Sequence, residues 1–207
     1  MFRLCHWLFV IEGILLTLTG FQLGGGMFGI NFFPTNNLSY HIMLGLLAVA
    51  TVTLFMYDIT IMGLLFWWGP HKIRESNKFI IAEFKAWFKL GPPPENPIIY
   101  DTIRHDYVKK IIPSVVVSFW SFTILGSFVM ITGLMLTFPA QLFFFYYLFN
   151  PVGSFLTGVS GVAFVLAIHR LSSELLVSLV LIHVYAVFVF KLVKSMITGY
   201  REEQVLR

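Results

Sequence analysis

GVAFVLAIHRLSSELLVSLVLIHVYAVFVFKL, residues 161–192, is the stretch that decides the fold. Its charged residues are Arg170, Glu174 and Lys191 alone, and the rest is apolar or small. A bilayer core asks for about 20 such residues in one helix, so this segment crosses a membrane with length left for tilt. It also holds His169 and His183, fourteen residues apart. At 100° per residue that interval returns to within about 40° of the same direction and advances about 21 Å, so the two imidazoles face one seam at two heights.

Three further stretches have the same character, at about residues 4–22, 40–68 and 111–138. The composition agrees, with 57% hydrophobic and 12% charged residues and a mean hydropathy of +0.82. A soluble surface could not be covered at that charge density. The expected fold is an all-α integral membrane protein: a four-transmembrane-helix bundle forming one domain over residues 1–207. The first stretch starts like a secretory signal, but it lacks a small-x-small cleavage site and carries His6 and Glu12, so we read it as a retained helix. The single Cys5 excludes a disulfide framework, and no C-x-x-C-H is present for covalent haem attachment.

Basic residues set the orientation. Thirteen of the fourteen Lys and Arg fall before the first span, in the loop over residues 69–110, or at and beyond the inner end of the fourth span, and the two opposite loops carry none. The positive-inside rule then puts both termini and the 69–110 loop in the cytoplasm of a multi-pass inner-membrane protein. Within that loop, residues 78–90 read as an interfacial amphipathic helix, with Lys78, Lys85 and Lys89 on one face and Ile80, Phe84, Trp87 and Phe88 elsewhere, resting on anionic lipid headgroups. The aromatic run 143–149 is too short to cross. It precedes Asn150-Pro151, which is expected to break a helix, and is placed at the interface.

Histidine placement separates this chain from a generic bundle. His6 opens the first span on the cytoplasmic side and His41 opens the second on the outer side. The fourth span runs inward, so His169 is its outer histidine and His183 its inner one. Level pairs are therefore His6 with His183 and His41 with His169. Buried ionisable side chains are costly in lipid and are kept for a task, and neutral imidazole is a good iron ligand. Small residues accompany these positions: Gly13 and Gly20 follow His6 at sevens, and Gly45 and Ala48 follow His41 at four and seven, faces that a flat macrocycle could approach. His71 and His105 lie in the charged loop and are expected to be solvated.

Motifs then carry a resemblance. Arg3-x-x-His6-Trp7, Thr19-Gly20-Phe21, His41-x-x-x-Gly45, Ile131-Thr132-Gly133, His169 followed after thirteen residues by His183-Val184-Tyr185, and Met196-Ile197-x-Gly199 occur in one order across nearly the whole chain. In that order they resemble the prokaryotic cytochrome b561-like dihaem cytochrome b subunits of bacterial formate dehydrogenases and membrane-bound nickel–iron hydrogenases. The resemblance implies two haems b, an inner one ligated by His6 and His183 and an outer one by His41 and His169. It implies an extracytoplasmic iron–sulfur partner with a catalytic subunit, and a membrane quinone on the cytoplasmic side. It makes the chain an electron-transfer subunit of a respiratory oxidoreductase complex, with no catalytic residue of its own.

Where the formate dehydrogenase branch has Asn-x-Gly-Gln before the third span, this chain has Tyr107-Val108-Lys109-Lys110. The quinone is therefore sought around His183, Asp106, Tyr107 and Lys110, whose groups could meet a carbonyl at the interface. Arg170, beside His169, is matched to a haem propionate, with snorkelling or pairing to another acid as its alternative. Glu12 and Glu174 are expected to be hydrogen-bonded carboxyls, and Asp58, near the cytoplasmic face, to be solvated.

A different class of protein, a haem-free proton-coupled transporter or membrane anchor, would use the same histidines, but the internal repeats and broken helices of many transporters are missing. A cytochrome b without a quinone is a further alternative. No P-loop, H-E-x-x-H or G-x-S-x-G is present, which disfavours a hydrolase or a nucleotide-driven pump. The net charge of +4 follows from topology and implies no nucleic acid.

Overall fold

In lipid every backbone N–H and C=O must be paired within the chain, and long apolar runs meet that demand as helices. The computed structural model describes residues 2–25, 33, 35–62, 69, 72–92, 94, 99–103, 106–109, 113–189, 192–200 and 204–206. Among them lie α1 (Phe2–Leu23), α2 (Asn37–Ile61), α3 (Ile73–Trp87), β1 (Ile99–Asp101), β2 (Asp106–Lys109), α4 (Pro113–Thr137), α5 (Phe143–Thr157), α6 (Gly161–Val189), α7 (Val193–Thr198) and β3 (Gln204–Leu206). Four of these helices, α1, α2, α4 and α6, are long and apolar enough to cross a membrane, as the sequence implies.

The boundaries teach more than the count. Helix α2 starts three residues earlier than expected, because the Asn36 carbonyl already accepts the Tyr40 N–H at 3.1 Å and the Asn37 side chain donates to the Thr19 carbonyl at 3.0 Å. Its expected continuation to residue 68 falls on 63–68, outside the described residues. Helix α4 begins on Pro113, whose missing N–H costs nothing at a first helical position. The interfacial helix runs over 73–87 rather than 78–90. Lys89 stands beyond its end in left-handed conformation (φ 57°), so it does not extend the helical face of Lys78 and Lys85.

Asn150-Pro151 does not end the aromatic segment, contrary to expectation. Helix α5 passes through Pro151 and stops at Gly158 (φ 71°). An interior proline costs about 3 kcal/mol, and three tertiary ties offset it. The Tyr146 hydroxyl donates to the Met135 carbonyl at 2.9 Å, Asn150 Oδ1 accepts the Gly161 N–H at 2.7 Å, and Phe164 packs where a side chain at Gly153 would stand. Asn150 thus caps α6 instead of breaking α5.

A small sheet, not anticipated, orders as β2-β1-β3, with β1 antiparallel to β2 and parallel to β3. It joins the segment after α7 to the loop before α4, so those two stretches lie on one side of any membrane.

The chain divides into two compact units, Met1–Asp58 with Ile124–Ser178, and Ile59–Thr123 with Leu179–Arg207. In the first, α1 turns Cys5, Glu12 and Thr19 inward at seven-residue spacing, with relative exposures of 4%, 3% and 0%, while Leu4, Leu8, Ile11 and Ile14 face outward. Small and polar side chains inside and large apolar ones outside is the pattern of helices packed in lipid. In the second, Ile59, Ser76 and Val116 are buried. There α3 meets α6 through the edge of Trp87 on Tyr185, ring centres 5.4 Å apart.

Candidate functional site

The first unit brings His41 of α2 and His169 of α6 together, their ring centres 6.3 Å apart and their planes at 87°. Each ring is held at its Nδ1 by a threonine from another helix. His41 Nδ1 lies 2.8 Å from Thr19 Oγ1 of α1. His169 Nδ1 lies 2.9 Å from Thr132 Oγ1 and 3.1 Å from the Val129 carbonyl, both of α4. Thr19 and Thr132 are both fully buried.

A carbonyl only accepts, so the Val129 contact makes His169 Nδ1 the protonated nitrogen and leaves the lone pair on Nε2. An imidazole presented to a metal needs that tautomer, fixed by an outer partner.

The residue after each threonine is a glycine, for a steric reason. A Cβ on Gly20 would stand 3.3 Å from His41 Cε1, and one on Gly133 would stand 3.2 Å from His169 Cε1. Either is tighter than ordinary contact. Gly20 thus makes room for the imidazole of His41. Around Gly13 and Gly45 a Cβ would meet no atom within 4 Å, so these faces stay open.

The spacing of the rings fits a shared metal. Two imidazole nitrogens about 2 Å from one ion on opposite sides, each about 1.1 Å from its ring centre, would put the centres about 6.2 Å apart. The ring centres stand 6.3 Å apart, close enough for both imidazoles to reach one ion. No cluster of three or more His, Cys, Asp or Glu able to hold a metal occurs among the described residues. A two-imidazole site needs a planar group to supply the remaining ligands, as haem does.

The other anticipated residues distribute as follows. His6 belongs to the first unit and meets Trp7 edge-on at 5.6 Å. His183 belongs to the second and meets the edge of Phe122, centres 5.5 Å apart at 89°. Arg170 Nε donates to Glu174 Oε1 at 3.3 Å, one turn on, while its guanidinium lies over Gly24 at the end of α1. Glu12 is hydrogen-bonded as expected, with Thr51 donating to its Oε1 at 2.8 Å. Asp58 is half-buried rather than solvated, with Oδ2 enclosed. Asp106 and Tyr107 lie in β2, opposite Asp101 and Tyr100. Lys110, His71 and His105 lie outside the described residues.

On the inner face of α3, in line with Ile73, Ser76 and Ile80, Glu83 is half-buried. Burial pushes its carboxyl up to about 6, against a hydrogen bond from Ser114 that lowers it.

Sequence reasoning did not give Thr19, Thr132 and Gly133 their part in seating the rings, nor did it single out Phe122 or Glu83. The available signal was the dipeptide Thr-Gly, repeated at 19–20 and 132–133 on two different spans.

Over residues 1–199 the chain matches the family described as prokaryotic cytochrome b561. No curated protein and no solved structure matches it. With four apolar helices and a match over nearly its whole length, this chain belongs to the prokaryotic cytochrome b561 family, membrane proteins that bind haem b.

Proposed function

We propose that the chain is the membrane-embedded electron-transfer subunit of a respiratory oxidoreductase complex. It carries electrons between an extracytoplasmic iron–sulfur partner, joined to a catalytic subunit, and the membrane quinone pool. Two haems b serve this path, an outer one between His41 and His169 and an inner one between His6 and His183. Bound haem supplies reversible one-electron chemistry, and the protein supplies ligands, orientation and surroundings.

The observation that supports this reading most is the His41–His169 pair, 6.3 Å apart and anchored behind each ring. Thr19 and Thr132 orient the imidazoles, Gly20 and Gly133 let them seat, and the open faces at Gly13 and Gly45 leave room beside α1 and α2. Arg170, one residue from His169, puts a positive charge at this level, and Glu174 balances it. Quinone chemistry is assigned to the His183 end, with Asp106, Tyr107 and Lys110 as candidate contacts. Charge asymmetry puts that end, both termini and the sheet in the cytoplasm of an inner-membrane protein.

The visible spectrum of the purified protein tests this reading. Two reducible b-type components are expected. His41→Ala and His169→Ala should each remove the same one, and His183→Ala the other. Loss of one shared component on replacing His41 or His183 would break the pairing. A colourless preparation made with haem supplied would favour the transporter or anchor.

A further inference from the structure

We propose that Thr19 and Thr132 are positioning residues that hold an iron between His41 and His169 at a lower midpoint potential than unanchored imidazoles would. The inference rests on the haem reading above.

Proton counting carries the first step. A threonine hydroxyl has one proton and two lone pairs. Thr19 Oγ1 stands 2.8 Å from the Leu15 carbonyl and 3.1 Å from that of Leu16, and carbonyls cannot donate, so its proton belongs to the helix. Thr132 is held in the same way by the carbonyls of Phe128 and Val129, at 2.5 and 3.2 Å. Towards the histidine each oxygen has lone pairs left to offer. The 2.8 and 2.9 Å contacts therefore close as Nδ1–H donating to threonine oxygen. The Val129 carbonyl, 3.1 Å from His169 Nδ1, requires the same tautomer independently.

The second step is electronic. An acceptor on Nδ1–H draws that proton outward and leaves more electron density on Nε2, which makes the ring a more basic ligand. A more basic ligand stabilises ferric over ferrous iron, and hydrogen bonding behind the axial ligand is one of the levers a protein has over a haem. Both rings of this pair are so equipped, by threonines that are themselves fully buried. The arrangement favours electron departure from this level.

The two anchors are unequal, which gives the proposal a distinctive signature. His169 has two acceptors, whereas His41 has Thr19 alone among the described residues. Thr19→Val leaves Nδ1–H without a partner, but Thr132→Val leaves it the Val129 carbonyl. The larger effect therefore belongs to Thr19.

The test is a spectroelectrochemical titration of the full chain carrying its haems, with the low-spin electron paramagnetic resonance spectrum as second readout. In Thr19→Val the His41–His169 component should move to higher potential by about a tenfold change in its oxidised-to-reduced ratio, about 59 mV for one electron. Thr132→Val should move it less, and Thr19→Ser and Thr132→Ser should restore the native value. The component assigned to His183 should stay in place. Should a valine variant fail to retain its haem, Thr19→Cys, a weaker acceptor of similar size, is expected between native and valine behaviour. An unchanged or lowered potential in a valine or cysteine variant with both components present overturns the proposal, as does a shift in Thr132→Val larger than in Thr19→Val. If His41→Ala and His169→Ala leave both components intact, the ligand assignment has failed instead.

Discussion

His41 and His169 are each tied to a buried threonine at 2.8 and 2.9 Å, with a glycine beside it opening the space in which the ring sits. The ring of His183, on the same helix as His169, meets the edge of an aromatic ring and makes no hydrogen bond to a described residue. One kind of seating fixes tautomer and rotation together. The other limits rotation by shape and leaves the proton's place to the ligand. In lipid the difference is larger than it would be in water, because no solvent is at hand to complete an unanchored ring. Histidines that look alike in sequence thus occupy sites of different rigidity.

The comparison breaks most sharply at Gly133. In Gly133→Ala the new methyl would stand 3.2 Å from His169 Cε1, so the ring must shift and the Thr132 bond must stretch. Overpacking of this kind costs about 1–3 kcal/mol. The His41–His169 component should lose occupancy roughly tenfold while that of His183 is retained, measured as haem-to-protein ratio and difference spectrum. Equal loss of both would mean that the two seats are not independent.

A smaller effect is expected from Phe122→Leu, which removes the aromatic edge against His183 while leaving apolar bulk. The His183 component should broaden in its paramagnetic resonance spectrum as ring orientations multiply, and the His41–His169 signal should keep its width. An unbroadened His183 signal would show that something other than Phe122 limits that ring.

The smallest effect concerns α3, which packs beside the Tyr185 turn of α6. Burial raises the Glu83 carboxyl from its ordinary 4.5 to about 6. The docked state therefore holds the proton more tightly than the undocked one, and stability falls as pH rises. The contribution of Glu83 to docking is complete below 4.5 and is lost through about 6, the reverse of a carboxylate in an ion pair. Glu83→Gln, always neutral, should flatten this dependence. Trp87 fluorescence, corrected with Trp87→Phe, reads the contact with Tyr185; a profile unchanged by Glu83→Gln would remove the carboxyl from the account.

The four spans could be read from sequence because a bilayer imposes one requirement, a run of about 20 apolar residues, that hydropathy reports directly. That His41 and His169 come together followed from chain direction alone. The partners behind the rings did not, because they depend on how one helix is rotated against another, which a single helix's period does not encode. Gly20 illustrates this: its place on the His6 face was visible, but the group that fills its space, His41, comes from another helix. Helix α5 was misjudged at Pro151 because a local rule was overruled by Tyr146, Asn150 and Gly153, each acting on a distant partner. The pairing of β1 with β3 joins three-residue strands about a hundred positions apart, and nothing local announces it.

Cys5, the chain's one thiol, is enclosed on the inward stripe of α1 at 4% exposure. Maleimide and methanethiosulfonate reagents will find the native protein nearly inert, so engineered cysteines elsewhere can carry spin or fluorescent probes without first deleting it. Distances between such probes on α3 and α5 could then be followed as the protein is reduced and reoxidised, against a background the fold itself keeps silent.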